Sequence, residues 1–178
     1  THCISSAASD VYKRQSVCSP QEEEVLERTY AEIEQELFNR MEGAPIDQHI
    51  VLFLDGWESL IDNNMEVEEK TRHLVREGLS YNIHVVISAS RWNNLRANIR
   101  DSLTTRWELR LGDTGDSIAG RKNAEQVPAL PGRGMTAGGL HFLFALQDED
   151  GLRAIAQQWS QEEPVKPLLL LPRSVSTT

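Results

Sequence analysis

At 178 residues, with 39% hydrophobic and 25% charged side chains, the chain has the make-up of one ordinary globular domain with a real core. Its net charge of −9 is unevenly placed, acidic between residues 20 and 70 and mildly basic between 91 and 122, and scattered arginines on an acidic background do not form the continuous basic surface that nucleic acid requires. No apolar run approaches the ~20 residues of a membrane span, no signal-peptide series opens the chain, and Cys3 and Cys18 lack partners at zinc spacing, so a cytoplasmic segment without disulfide or zinc framework is expected.

Residues 1–15 carry neither helical nor strand periodicity; they resemble translated sequencing adapter, or else a natural disordered tail, and are set aside from fold reasoning. Ser19 as N-cap, Pro20 at the first helical position and Glu22 in capping-box spacing predict a helix whose apolar stripe is Leu26, Tyr30, Ile33, Leu37 and Met41, stopped by Gly43 and Pro45. Ile50 to Leu54 is a continuous apolar run, which predicts a strand buried on both faces. A second helix is expected over Val67–Gly78, with Leu74 and Val75 inward and Gly78 as C-cap, then a second buried strand over Asn82–Ser88. A short helix from about Asn93 to Ser102 leads to a strand over Arg106–Leu111, where Trp107, Leu109 and Leu111 alternate with charged residues as if one face were open to water. Gly132–Gly139 reads as a glycine-rich loop, Leu140–Leu146 as a strand and Leu152–Trp159 as a helix; beyond Pro164 the prolines predict a linker or edge strand. Strands alternating with helices predict an α/β fold with a mostly parallel sheet.

Asp55 stands where the first buried strand leaves the sheet. A carboxylate there is well placed for Mg²⁺, as in P-loop NTPases, where the Walker B aspartate helps hold the magnesium of bound nucleotide. The same residues also fit a strand closed by an Asp-Gly turn. If Asp55 serves a metal, the next strand should deliver polar groups to the same edge, and Ser88, Ser90 and Arg91 end it. Their hydroxyls and guanidinium would suit a γ-phosphate or an attacking water, or else form a serine turn beside a surface arginine. Arg106 opens the following strand and is a candidate arginine finger, with Glu108 and Asp101 at hand as plain ion-pair partners. Arg133 lies among glycines that would allow close backbone approach to a ligand, or serve only a turn. Gly115–Lys122 imitates a phosphate loop, but Arg121 follows the second glycine, Lys122 is one place late and Asn123 replaces Ser/Thr, so no Walker A motif is present. His84 reads as a core histidine.

Taken in order, Val51–Trp57, Gly78–Trp92, Glu108–Asp113, Val127–Met135 and Leu140–Leu146 resemble the FtsK/SpoIIIE motor superfamily, and more narrowly an EccC-type ATPase domain of type VII secretion. The resemblance implies a RecA-like P-loop domain over residues 16–163, of which this chain would be the C-terminal part, with 164–178 a linker toward a following domain. It makes Asp55 the Walker B residue, sets Ser90-Arg91 at the sensor strand's exit and puts Arg106 on the family's Pro-Thr-Arg arginine. It implies ATP and Mg²⁺ as cofactors of the intact parent, Mg²⁺ being held by Asp55 through water. Neighbouring ATPase domains, secretion-complex subunits and secreted helical-hairpin proteins are the implied partners, at the inner face of the membrane. One departure weighs on activity: active motors follow the aspartate with a glutamate that primes water, and Gly56 stands here instead, with Glu58 two residues on. A degenerate domain that binds ATP and regulates export is therefore expected, the alternatives being a competent ATPase using Glu58 or a DNA translocase.

Overall fold

The computed structural model describes residues 18–62, 64–145 and 148–159; the expectations for residues 1–15 and beyond Pro164 lie outside them. The chain divides into a central unit, Leu37–Leu146, and a flanking unit formed by Thr1–Glu36 with Gln147–Thr178. Helix α1 (Glu23–Met41) begins in the flanking unit and ends in the central one, and the last described helix, Glu149–Trp159, belongs to the flanking unit.

The central unit is built on strands β1 (Ile50–Leu54) and β2 (Ile83–Ile87), which pair in parallel with Val51 opposite His84 and Phe53 opposite Val86. Their connection carries two helices, α2 (Trp57–Ile61) and α3 (Met65–Glu77). Asn64 caps α3 by accepting the Val67 N–H, and its stripe of Val67, Thr71 and Leu74 turns inward. Gly78 is the C-cap as expected, in a right-handed conformation. The chain continues into a 3₁₀ turn, Gly78–Tyr81, and the left-handed residue is Asn82 (φ 56°). Leu54, Trp57, Leu60, Val67, Leu74 and Ile83 make the core here, joined by Leu95 and by Ile99 of α4 (Ala97–Arg100). Arg40, itself buried, donates to the carbonyls of Gln48 (2.9 Å) and Tyr81 (2.7 Å), tying the residues that lead into the two strands.

The second sheet overturns the expectation of a mostly parallel, RecA-like architecture. Strands β3 (Trp107–Leu109), β4 (Arg133–Thr136) and β5 (His141–Leu143) form a separate antiparallel sheet in that order, so among the described residues only β1 and β2 are parallel. The connection between β4 and β5 is far too short for the crossover that parallel strands need. The presumed glycine-rich loop is thus the central strand and its hairpin. A Cβ on Gly134 would sit 2.5 Å from the Glu108 carbonyl oxygen and closer still to the Phe142 ring, so glycine here lets β4 lie under an aromatic side chain.

Two burial expectations also fall. Val51 (46% exposed), Phe53 (70%) and Val86 (40%) form an open face of the parallel pair, so β1 is buried on one side only. In β3 the faces are reversed: Glu108 is buried at 3% exposure while Trp107 and Leu109 are exposed, because protein donors replace water around the Glu108 carboxylate. The helix expected over 93–102 is broken into a 3₁₀ turn, Trp92–Asn94, and α4. The mimic of a phosphate loop is a 3₁₀ turn, Thr114–Asp116, followed by the four-residue helix α5 (Arg121–Ala124).

Candidate functional site

The parallel register fixes which side chains share a face. His49, Val51, Phe53 and Asp55 alternate on one side of β1, and His84, Val86 and Ser88 follow on β2. His49 Nδ1 lies 2.8 Å from His84 Nε2 at the N-terminal end, so His84 is half-buried in a histidine pair rather than set in an apolar core. Asp55 and Ser88 meet at the C-terminal end, where ligands of open α/β sheets bind.

That end is tightly built. The ladder runs one residue past the strands, with Ser88 N–H donating to the Leu54 carbonyl and Trp57 N–H to the Ser88 carbonyl, both at 2.9 Å. Ser88 Oγ donates to Asp55 Oδ1 and accepts the Gly56 N–H at 2.9 Å, which fixes the carboxylate's direction. Among the described residues no donor reaches Oδ2, and Asp55 is exposed. Gly56 adopts φ 74°, ψ 56°, a left-handed conformation that lets the chain turn at once into α2. Trp57 behind it is fully buried, its indole Nε1 without a partner among the described residues.

Glu58, half-buried on α2, faces the exit of β2. Its Oε1 accepts from Ser90 N (2.7 Å), Ser90 Oγ (2.8 Å) and Asn94 Nδ2 (2.5 Å). Burial by itself pushes this carboxyl up, but the Asn94 amide, the Glu58 backbone and both Ser90 donors together bring it down to about 2. A carboxylate so held is a weak proton acceptor at neutral pH. Arg91 and Ser90 line an adjacent cleft of about 190 Å³ with Trp92, Leu111, Asp113 and Asp116.

Of the residues singled out in the sequence, Asp55, Ser88, Glu58 and Ser90 come together and Arg91 adjoins them. Arg106 is engaged elsewhere, and Arg133 lies in the antiparallel sheet. The Arg106 guanidinium donates to the carbonyls of Arg100 (2.7 Å) and Leu103 (3.0 Å) at the end of α4, with Asp101 4.0 Å away, and Glu108 is turned from it. Arg133 opens β4 opposite Leu143. Sequence reasoning missed Asn94 and Trp92 and gave Glu108 only as an ion-pair partner for Arg106: Trp92 Nε1 donates to Glu108 Oε2 (2.8 Å), whose carboxylate also accepts from Ser117 Oγ (2.7 Å) and Ile118 N (2.9 Å). The four-residue step from Ser90 to Asn94 was the available signal for one of them.

Whether these groups suit Mg²⁺ can be judged from the donor set. Among the described residues no three His, Cys, Asp or Glu side chains converge, so an ion at Asp55 would draw its other ligands from water and phosphate. Such coordination is what Mg²⁺ favours, since it keeps several waters and takes one or two carboxylates.

A family model described as the FtsK/SpoIIIE family matches residues 1–150. Over 128 residues the chain is 41% identical to the ESX-4 secretion system protein EccC4 of Mycobacterium tuberculosis; the match covers 71% of this chain and 10% of that protein. A solved structure of Thermomonospora curvata EccC (ATPases 2 and 3) in complex with a signal sequence peptide matches with a TM-score of 0.77 at 30% identity, covering 93% of this chain and 37% of that one. The cytoplasmic domain of the Thermomonospora curvata type VII secretion ATPase EccC gives a TM-score of 0.78 at 30% identity, over 93% of this chain and 24% of that one.

Proposed function

This chain belongs to the FtsK/SpoIIIE family and is homologous to EccC subunits of type VII secretion systems, and from that premise we propose that it is part of a nucleotide-binding domain which holds Mg²⁺-ATP without turning it over at motor rates. The observation that carries this reading is the pair of carboxylates at the end of the parallel strands. Asp55 is oriented by Ser88 with Oδ2 open to a hydrated ion, while Glu58 is consumed by Ser90 and Asn94. Ser90 and Arg91 would face the phosphates from β2, and Arg106 would join only by leaving the carbonyls of Arg100 and Leu103. Gly56 supplies no priming carboxylate, and loss of a water-positioning group costs ~10²–10⁴ in rate.

In the intact parent, occupancy of this domain would tighten packing against neighbouring ATPase domains and regulate export. The relative solved with a signal sequence peptide supports secreted proteins as the cargo, and the relative described as a cytoplasmic domain supports the same side of the membrane for this one. The test is turnover by a longer polypeptide carrying a phosphate loop. Steady hydrolysis below about 0.01 s⁻¹, unchanged by Glu58→Gln, is expected; turnover above about 1 s⁻¹ that Glu58→Gln abolishes would replace this reading with a competent ATPase.

A further inference from the structure

Two carboxylates hold one short turn. The 3₁₀ turn Trp92–Asn94 and the residues before it connect β2 to α4. Glu58 holds this connection through Ser90 and Asn94, and Glu108 holds it between them through the Trp92 indole. Glu108 is in turn fixed by Ser117 and Ile118, and its strand neighbours Trp107 and Leu109 point to the exposed face of the antiparallel sheet. Hydrogen bonds to Glu58 and to Glu108 are therefore joined through the backbone of this one turn, which links the helix that follows Asp55 to that face.

We propose that Glu58 is a positioning residue, and that Glu58, Asn94, Trp92 and Glu108 form a strap coupling the Asp55 site to the antiparallel sheet and its aromatic face, where Trp107 packs edge-on against Phe144. Resting on the nucleotide reading, this assigns a regulatory output to the same site: a shift of the β2 exit on nucleotide binding would be passed to β3. Coupling of this kind requires a physical element that both sites bias, and the gripped turn is that element. A carboxylate serving only α2 would bond within α2. Besides its own backbone, Glu58 bonds to Ser90 and Asn94, which follow β2 in the chain.

The strap can be read without nucleotide, by site-resolved hydrogen exchange on the chain as it stands. Two protons report on Glu108's grip: the Trp92 indole N–H and the Ile118 amide. Glu58→Ala should accelerate both about tenfold, and Glu58→Gln, which retains an acceptor oxygen, should restore most of the protection. Glu69→Ala, which removes a carboxylate paired with Arg72 on exposed α3, should leave both unchanged. If Glu58→Ala prevents folding, the milder Ser90→Ala and Asn94→Ala variants should each give part of the acceleration. Unchanged exchange in a folded Glu58→Ala or Asn94→Ala variant would overturn the proposal, as would equal acceleration by Glu69→Ala. Failure of a longer polypeptide to bind Mg²⁺-ATP, with the exchange pattern as expected, would instead strike only the nucleotide reading.

Discussion

Gly56 and Glu58 explain each other. The left-handed turn at Gly56 carries the chain directly from Asp55 into α2, and Glu58 two residues on is held by Ser90 and Asn94. A Cβ at Gly56 meets nothing within 4 Å, so the cost of Gly56→Ala is conformational, ~1–2 kcal/mol, measurable by urea unfolding. Gly134→Ala should cost more than that, because its Cβ must displace backbone as well as the Phe142 ring. Glu58 also predicts a pH effect. Its carboxyl lies near 2 when folded against an ordinary 4.5, so the unfolded chain binds the extra proton first. The stabilisation is complete above about 4.5 and is lost as pH falls toward 2. Glu58→Gln should flatten this part of the acid limb, and an unchanged limb would show that the carboxylate is not so held.

At the scale of elements, the parallel pair was legible because five successive apolar residues and a second run ending in serines admit few other readings, and the apolar stripe of the helices follows a simple periodicity, although α1 begins at Glu23 and not at Pro20 after a Ser19 cap. The antiparallel sheet was not. Glycine density across Gly132–Gly139 has the appearance of a loop, and only the close seating of Phe142 over Gly134 reveals why a strand needs it. The reversed faces of β3 had no local signal, since the groups that satisfy Glu108 come from Trp92, Ser117 and Ile118, all distant in the chain. The site shows the same division: Asp55 and the serines declare themselves by position, whereas the engagement of Glu58 depends on Asn94, beyond the strand. Arg40 joins the leads into β1 and β2 and was equally hidden. Arg40→Met leaves the Gln48 and Tyr81 carbonyls unsatisfied and should destabilise the chain by ~1–3 kcal/mol in urea unfolding, with a wild-type midpoint refuting the latch.

For the molecule as a whole, the open face of the parallel pair matters most. Val51, Phe53 and Val86 present adjoining apolar surface beside the Asp55 end, of a kind that promotes association when left exposed. The chain should therefore sediment as concentration-dependent oligomers, and Phe53→Lys should shift it toward monomer with little loss of stability, because the side chain it replaces is 70% exposed. A monomer at all concentrations would show that this face is masked in solution. The net charge of −9 and the homology to EccC favour the secretion motor proposed above over a DNA translocase; under that proposal Asp55 would hold the ion, and Gly56 has no side chain to prime water.

The central claim is best tested by titrating ATP, with and without Mg²⁺, into a longer polypeptide that includes a phosphate loop, comparing the natural sequence with Asp55→Asn. Binding that Mg²⁺ strengthens at least about tenfold, and that loses this Mg²⁺ dependence in Asp55→Asn, is the predicted result. Identical Mg²⁺ dependence in both proteins would contradict the account.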